Sequence, residues 1–134
     1  MNKPKLIQLP KIVDPRGNLS FFEFPNQLPF NINRVYWIYD VPGGEIRGSH
    51  AYKEQHEIII ALSGSFDVEI DNGISIERYS LNRSYYGLYV PNLLWRTMQN
   101  FSTNSLALVI SSSVYNDQDY IRDYNEFITL KKSR

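Results

Sequence analysis

Residues 44–64 read Gly-Glu-Ile-Arg-Gly-Ser-His-Ala-Tyr-Lys-Glu-Gln-His-Glu-Ile-Ile-Ile-Ala-Leu-Ser-Gly, and residues 91–100 read Pro-Asn-Leu-Leu-Trp-Arg-Thr-Met-Gln-Asn. In the first stretch the polar segment Arg47 to Tyr52 leads into the apolar run Ile58 to Leu62, which Ser63-Gly64 closes. A short apolar run bounded by turn formers is the pattern of a buried strand. Upstream, Pro42-Gly43-Gly44 breaks a strand predicted over Ile32 to Val41. Alternation there puts Arg34, Tyr36, Ile38 and Asp40 on one face and Val35, Trp37, Tyr39 and Val41 on the other. One face can therefore present polar groups to a cavity.

The same texture extends in both directions. Ten Tyr, seven Phe and two Trp lie in short segments separated by turn residues, as in an all-β domain. Asp14-Pro15-Arg16-Gly17-Asn18 is a turn between strands predicted at Leu6 to Leu9 and Leu19 to Phe24. Phe66 to Ile70 and Ile74 to Tyr79 flank Asp71-Asn72-Gly73, a tight-hairpin signal because Asn-Gly supplies positive φ angles. Tyr86 to Val90 and Leu106 to Ser111 complete the set. Roughly nine short strands, with turns about every 8–12 residues, imply a barrel or jelly-roll sandwich. One helix is predicted, over Asp117 to Leu130, where Tyr120, Ile121, Tyr124, Phe127 and Ile128 recur at helical spacing behind Asn116-Asp117 as a cap. Lys131 to Arg134 reads as a frayed basic tail.

With 134 residues and 43% apolar content, the chain suits a single domain over residues 1–134. Fourteen basic residues balance fourteen acidic ones, so no net field draws in nucleic acid or an anionic membrane. An anionic ligand must meet a local cluster of arginines. The absence of cysteine excludes disulfides and thiolate metal sites and fits a reducing compartment. Met1 to Pro10 lacks a continuous apolar stretch, and no run is long enough to span a bilayer; a soluble cytoplasmic protein is expected.

The two opening stretches resemble the two-part signature of the cupins: Gly44, His50, Tyr52, Glu57 and Gly64, then Pro91, Leu93, Arg96 and Asn100. The cupin pattern has His where this chain has Tyr52 and Arg96, and Gly where it has Leu93. Cupins hold a divalent ion with two or three imidazoles and a carboxylate, and a permanently protonated arginine cannot be a ligand. The resemblance thus implies the barrel without its metal. More specifically, Arg47-Gly48-Ser49-His50-Ala51-Tyr52-Lys53 resembles the Arg-Gly-x-His-Ala-His-Lys motif of the nucleotide-sugar 3,4-ketoisomerases. Asp14 to Gly17, Pro29-Phe30, Arg34-Val35-Tyr36, Leu62-Ser63-Gly64, Gly87 to Val90 and Asp119-Tyr120-Ile121-Arg122-x-Tyr124 match that family in the same order. The resemblance implies an all-β cupin jelly roll with a short C-terminal helix, homodimeric and free of cofactor and metal. Its substrate would be a dTDP-linked 4-keto-6-deoxyhexose, whose carbonyl moves from carbon 4 to carbon 3.

Moving a ketone to the next carbon requires a proton to leave the hydroxyl-bearing carbon, an enediol to form, and a proton to reach the former carbonyl carbon. A group titrating near neutrality suits that work, and the chain has only two histidines, His50 and His56. His50 holds the motif position and is the expected base; His56, before Glu57, reads as solvent-facing. Tyr52 replaces a family histidine, and its phenol either donates to an oxyanion or packs in the wall. Tyr36 either contacts the sugar or belongs to the core. Arg47 and Arg96 are the leading candidates for a diphosphate or the adjoining sugar pocket, with Arg16 and Arg34 alternatively paired to Glu23 or Asp40. Trp95 either stacks on a base or fills the barrel. Glu57 either orients His50 or pairs with an arginine. A ketoisomerase leads, ahead of a related epimerase and a non-catalytic sugar-nucleotide-binding cupin.

Overall fold

Ile58–Ala61 are all buried, at 1% exposure or less, because their strand has neighbours on both faces. In the computed structural model, which describes residues 3–134, this strand, β6 (Glu57–Ser63), lies at the centre of a five-stranded antiparallel sheet. Its companions are β1 (Lys5–Gln8), β4 (Arg34–Tyr39), β9 (Tyr86–Val90) and β11 (Leu106–Ser111), in the order β1-β9-β6-β11-β4. A second antiparallel sheet contains β5 (Arg47–Tyr52), β7 (Phe66–Asp71), β8 (Ile76–Leu81), β10 (Trp95–Gln99) and β12 (Tyr120–Ile121), in the order β12-β5-β10-β7-β8. A small hairpin, β2 (Lys11–Ile12) with β3 (Leu19–Ser20), stands apart.

Period-two alternation assigns the layers. Ile59 and Ala61 of β6 face Phe66, Val68 and Ile70 of β7 and Met98 of β10 in the core between the sheets. Ile58 and Ile60 point the other way and are covered by Leu9, Leu28 and the flanking Phe22 and Phe30. The result is an all-β jelly roll of the cupin type, with two packed sheets rather than one closed ring of hydrogen bonds. Helix α1 (Tyr124–Lys132) packs outside the second sheet, where Phe127 meets Ala51, Leu93 and Ile121.

The C-terminal segment differs from its sequence pattern. In place of one helix from Asp117, Asn116 caps a single 3₁₀ turn at Asp117–Asp119, and Tyr120–Ile121 then pair with Tyr52–Ala51 on the open edge of β5. The backbone groups of Tyr120 and Ile121 are satisfied by a sheet, and Asp123 starts the true helix by accepting from the Asn125 amide. The helix runs past Leu130, and Lys131 Nζ donates to the Leu93 carbonyl at 2.7 Å, which anchors part of the basic tail. The Asp71-Asn72-Gly73 hairpin is wider than a two-residue turn: Asn72 N donates to the Ser75 carbonyl, and β8 starts only at Ile76. Strands β2, β10 and β12 are additions to the predicted set, and the strand predicted over Leu19 to Phe24 is paired only at Leu19–Ser20. The first sheet's edge, β4, runs only from Arg34 to Tyr39: Arg34, Tyr36 and Ile38 face inward as predicted, but Asp40 leaves the strand with a φ of 57° and is exposed, and Val41 packs against the core.

Phe127 is fully buried beneath the second sheet. Phe127→Ala is expected to cost about 3–5 kcal/mol in urea unfolding, because the cavity left under β5 and β12 cannot collapse onto two paired strands.

Candidate active site

Between the ends of the sheets lies a cavity of about 350 Å³. Arg34, Tyr36 and Ile38 reach it from β4, Arg47, Gly48, His50 and Tyr52 from β5, and Arg96 from β10. Tyr120 and Arg122 close one side of its mouth. Strand alternation alone would bring in Gly48, His50 and Tyr52; Arg47 joins them through a bulge. Arg96 pairs with His50, whereas Met98 pairs with Arg47, so β5 has one residue more than β10 over that interval. The extra residue is accommodated at Gly48, with φ of 68°. A Cβ on Gly48 would also overlap the Arg96 guanidinium, so glycine is required on two counts.

Arg96 forms the cavity floor. Its side chain is 2% exposed and is ion-paired through Nε to Glu57, itself 1% exposed. Nη2 donates to the Tyr36 hydroxyl at 2.9 Å and to Glu57 Oε2 at 3.3 Å, and Nη1 donates to the Gly48 carbonyl at 3.3 Å. Gln55 extends the network: its amide nitrogen donates to Glu57 and Ser111, and its oxygen accepts from Arg34 at 3.1 Å. Desolvation opposes the Arg96 charge most strongly, but the Glu57 carboxylate and its hydrogen bond, together with the Tyr36 and Tyr52 oxygens, more than offset it and hold the guanidinium charged.

These charges set the protonation of the neighbouring groups. Burial, together with the positive charges of Arg96, Arg122 and Arg34, lowers His50 to about 3, so the imidazole is neutral at physiological pH. Burial and the Glu57 carboxylate push Tyr36 up to about 12 and push Tyr52 up as well, so both phenols keep their protons. The rings of His50, Tyr52 and Tyr120 meet edge-on, with centroids 4.7–5.0 Å apart. His50 Nδ1 and the Tyr52 hydroxyl are buried without a protein hydrogen-bond partner among the described residues.

The cavity thus gathers His50, Tyr52, Tyr36, Arg47, Arg96 and Arg34 from positions scattered along the chain. Two candidates lie elsewhere. Arg16 is exposed and pairs with Asp14 at 3.0 Å, rather than with Glu23 or Asp40, because the tight turn brings its nearest acid to hand. Trp95 faces away from the cavity and packs against Tyr124 and Phe127 of α1, the alternation of β10 having turned Arg96 inward. His56 is half-buried instead of solvent-facing, with Nδ1 2.6 Å from the Tyr89 hydroxyl. Sequence reasoning gave no role to Tyr120, Arg122 or Gln55. The first two lie in the Asp119-to-Tyr124 motif, whose helical spacing hid its strand.

Cupins are metal proteins by precedent, but this donor set does not fit a divalent ion. His50 is the one imidazole lining the cavity, and the Glu57 carboxylate is already engaged by Arg96 and Gln55. Among the described residues, no group of three or more His, Cys, Asp or Glu is placed to hold a metal.

Fold and site together define a cupin-type jelly roll whose end opens onto a cavity built from arginines, phenols and a single neutral imidazole. A family model described as "FdtA: WxcM-like, C-terminal" matches residues 2–132, and the chain belongs to that family. It is 40% identical over 123 residues, 92% of this chain and 88% of the relative, to the TDP-4-oxo-6-deoxy-alpha-D-glucose-3,4-oxoisomerase of Aneurinibacillus thermoaerophilus. A 3,4-ketoisomerase from Helicobacter canadensis superposes with a TM-score of 0.95 at 36% identity, covering 98% of this chain and 99% of that one. A variant of the 3,4-ketoisomerase QdtA from Thermoanaerobacterium thermosaccharolyticum, in complex with TDP-4-keto-6-deoxyglucose, superposes with a TM-score of 0.97 at 34% identity, covering 100% of this chain and 97% of that one.

Removing Glu57 would strand a buried guanidinium. Glu57→Leu is expected to destabilise the protein by about 3–5 kcal/mol in urea unfolding, and Glu57→Leu with Arg96→Met to recover most of that loss, because no charge then remains buried.

Proposed function

We propose that this chain is a 3,4-ketoisomerase that moves the carbonyl of dTDP-4-keto-6-deoxyglucose from carbon 4 to carbon 3. The single observation that carries the reading is the neutral His50 imidazole, set in a cavity whose other polar groups are all proton donors or fixed cations. The full-length likeness to sugar 3,4-ketoisomerases supports the same reaction.

His50 takes the proton from carbon 3, and the electrons of that C–H bond form the double bond between carbons 3 and 4. The carbon 4 oxygen becomes enolate-like and is met by a phenol, Tyr36 or Tyr52, each protonated at neutral pH. The Tyr36 oxygen accepts from Arg96, which strengthens its own O–H as a donor. The proton of the carbon 3 hydroxyl then passes to the carbon 4 oxygen, and the His50 imidazolium, after exchange with water, gives a proton to carbon 4, leaving the ketone at carbon 3, a hydroxyl at carbon 4 and a neutral base. Arg47, Arg34 and Arg122 at the mouth suit the diphosphate. Its negative charge also counters the arginines that depress His50, so substrate binding makes the base stronger where it is needed.

The domain acts as a homodimer in the cytoplasm. Trp37 and Tyr39 on the outer face of β4, 58% and 62% exposed, form an apolar surface with Leu62, Leu106 and Leu108 that supports self-association. No helix among the described residues is long and apolar enough to cross a membrane.

NMR of the purified protein with dTDP-4-keto-6-deoxyglucose in D₂O tests the reaction: a 3-keto product carrying deuterium at carbon 4 is expected. Exchange that leaves the ketone at carbon 4 would indicate epimerase chemistry, and an unchanged sugar a binding protein. His50→Asn is expected to lose at least ~100-fold in turnover while still binding TDP.

The pH profile has a defined sign. His50 is depressed, so the free enzyme keeps its base deprotonated as pH falls through the ordinary histidine range. kcat/KM is expected to stay level from about pH 8 to about pH 5, whereas the acid limb of kcat, set by the substrate complex, lies higher. A limb of kcat/KM near the ordinary value of about 6.5 would show a solvated base.

A further inference from the structure

We infer that Tyr120 is a positioning residue for the His50 imidazole, its ring edge holding the base in the orientation that proton transfer needs. The inference rests on the reading of His50 as the base.

A catalytic histidine is ordinarily oriented by a hydrogen bond to the ring nitrogen that does not face the substrate. His50 has no such bond within the protein: Nδ1 is buried and unpartnered among the described residues. Two ring edges flank the imidazole instead, Tyr52 with its centroid 4.8 Å away and an interplanar angle of 73°, and Tyr120 at 5.0 Å and 66°. Tyr52 is two residues from His50 on the same strand and cannot by itself fix the neighbouring side chain. Tyr120 is anchored separately. It sits opposite Tyr52 in the register of β12 against β5, with the two phenol rings 4.7 Å apart.

Tyr120 is itself held firmly. The Asp119 carboxylate accepts from the Glu54 and Gln55 amides at 2.8 and 3.1 Å, and the Asp119 carbonyl accepts from the Lys53 amide at 2.9 Å. This clasp ties the strand carrying Tyr120 to the end of the strand carrying His50. The Arg122 guanidinium also lies over the Tyr120 ring, 4.2 Å from its centroid. The backbone clasp and this cation together hold the ring against the imidazole, and His50 loses rotamer freedom before substrate arrives. Two aromatic edges do the orienting that a single acceptor does in other histidine sites.

The test combines kinetics with NMR of the histidine ring. With two histidines in the chain, His56→Asn assigns the His50 ring signals. Wild-type protein is expected to give one sharp set. Tyr120→Leu should broaden or split it and lower kcat by about 10- to 100-fold, with KM within about twofold, as for a displaced catalytic group. Tyr120→Phe keeps the edge and should retain the sharp signal and most of kcat. A folded Tyr120→Leu protein with an unchanged His50 signal and kcat would overturn the inference, as would a Phe variant as impaired as Leu, which would assign the role to the hydroxyl. Tyr120→Met carries the same comparison should the Leu variant fail to fold. Failure of the base assignment is distinguishable, because His50→Asn would then keep its turnover whatever Tyr120 does to the ring signal.

Discussion

A guanidinium with 2% of its side chain exposed, paired with a carboxylate at 1%, is the constraint around which this site is arranged. Bringing both charges out of water is costly, and their attraction compensates only if the remaining donors find partners. Each Arg96 partner comes from a different part of the fold: Glu57 from β6, Tyr36 from β4 and the Gly48 carbonyl from β5. The ion pair therefore links the two sheets across the cavity floor. It also dictates local sequence, because the Gly48 backbone must approach the guanidinium more closely than a Cβ would allow.

The same pair sets the chemistry above it. Burial and the nearby guanidinium charges hold His50 neutral, while burial and the Glu57 carboxylate hold Tyr36 and Tyr52 protonated. One group can accept a proton and two can donate hydrogen bonds, the division that enolisation next to a carbonyl requires. Where metal-binding cupins supply positive charge with an ion, Arg96 supplies it covalently, at the position where their signature has a histidine ligand.

Much of this was legible in the sequence because it follows alternation. Arg34, Tyr36 and Ile38 lie two apart and share the inner face of β4, and the Arg47-to-Lys53 motif carries His50 and Tyr52, which line the same cavity. Strand β10 was less legible because its inward residues are Arg96 and Met98, and a charged inward side chain disguises a strand. Trp95 was misleading for the same reason: aromatic rings are expected inward, but here the arginine takes that place and the indole packs under α1. Tyr120 and Ile121 satisfied a helical period as well as a strand, and only the open edge of β5, a feature of the assembled sheet, decides between them. Arg16 stands in a turn, where charge has no periodicity to show which way it points, and within the chain its partner is Asp14, two residues away.

The replacement of a second histidine by Tyr52 fits this electrostatic arrangement. On the proposed mechanism, a second imidazole would add a proton acceptor where the developing enolate calls for a donor. On that mechanism, a phenol whose ionisation is pushed up stays protonated and can donate to the charged intermediate without competing for the substrate proton. Its ring also contributes one of the two edges against the imidazole. Tyr52 thus belongs to the same arrangement as Arg96: each stands where the cupin signature has a metal ligand, one adding a charge that works with burial to keep His50 neutral, the other a protonated phenol beside it.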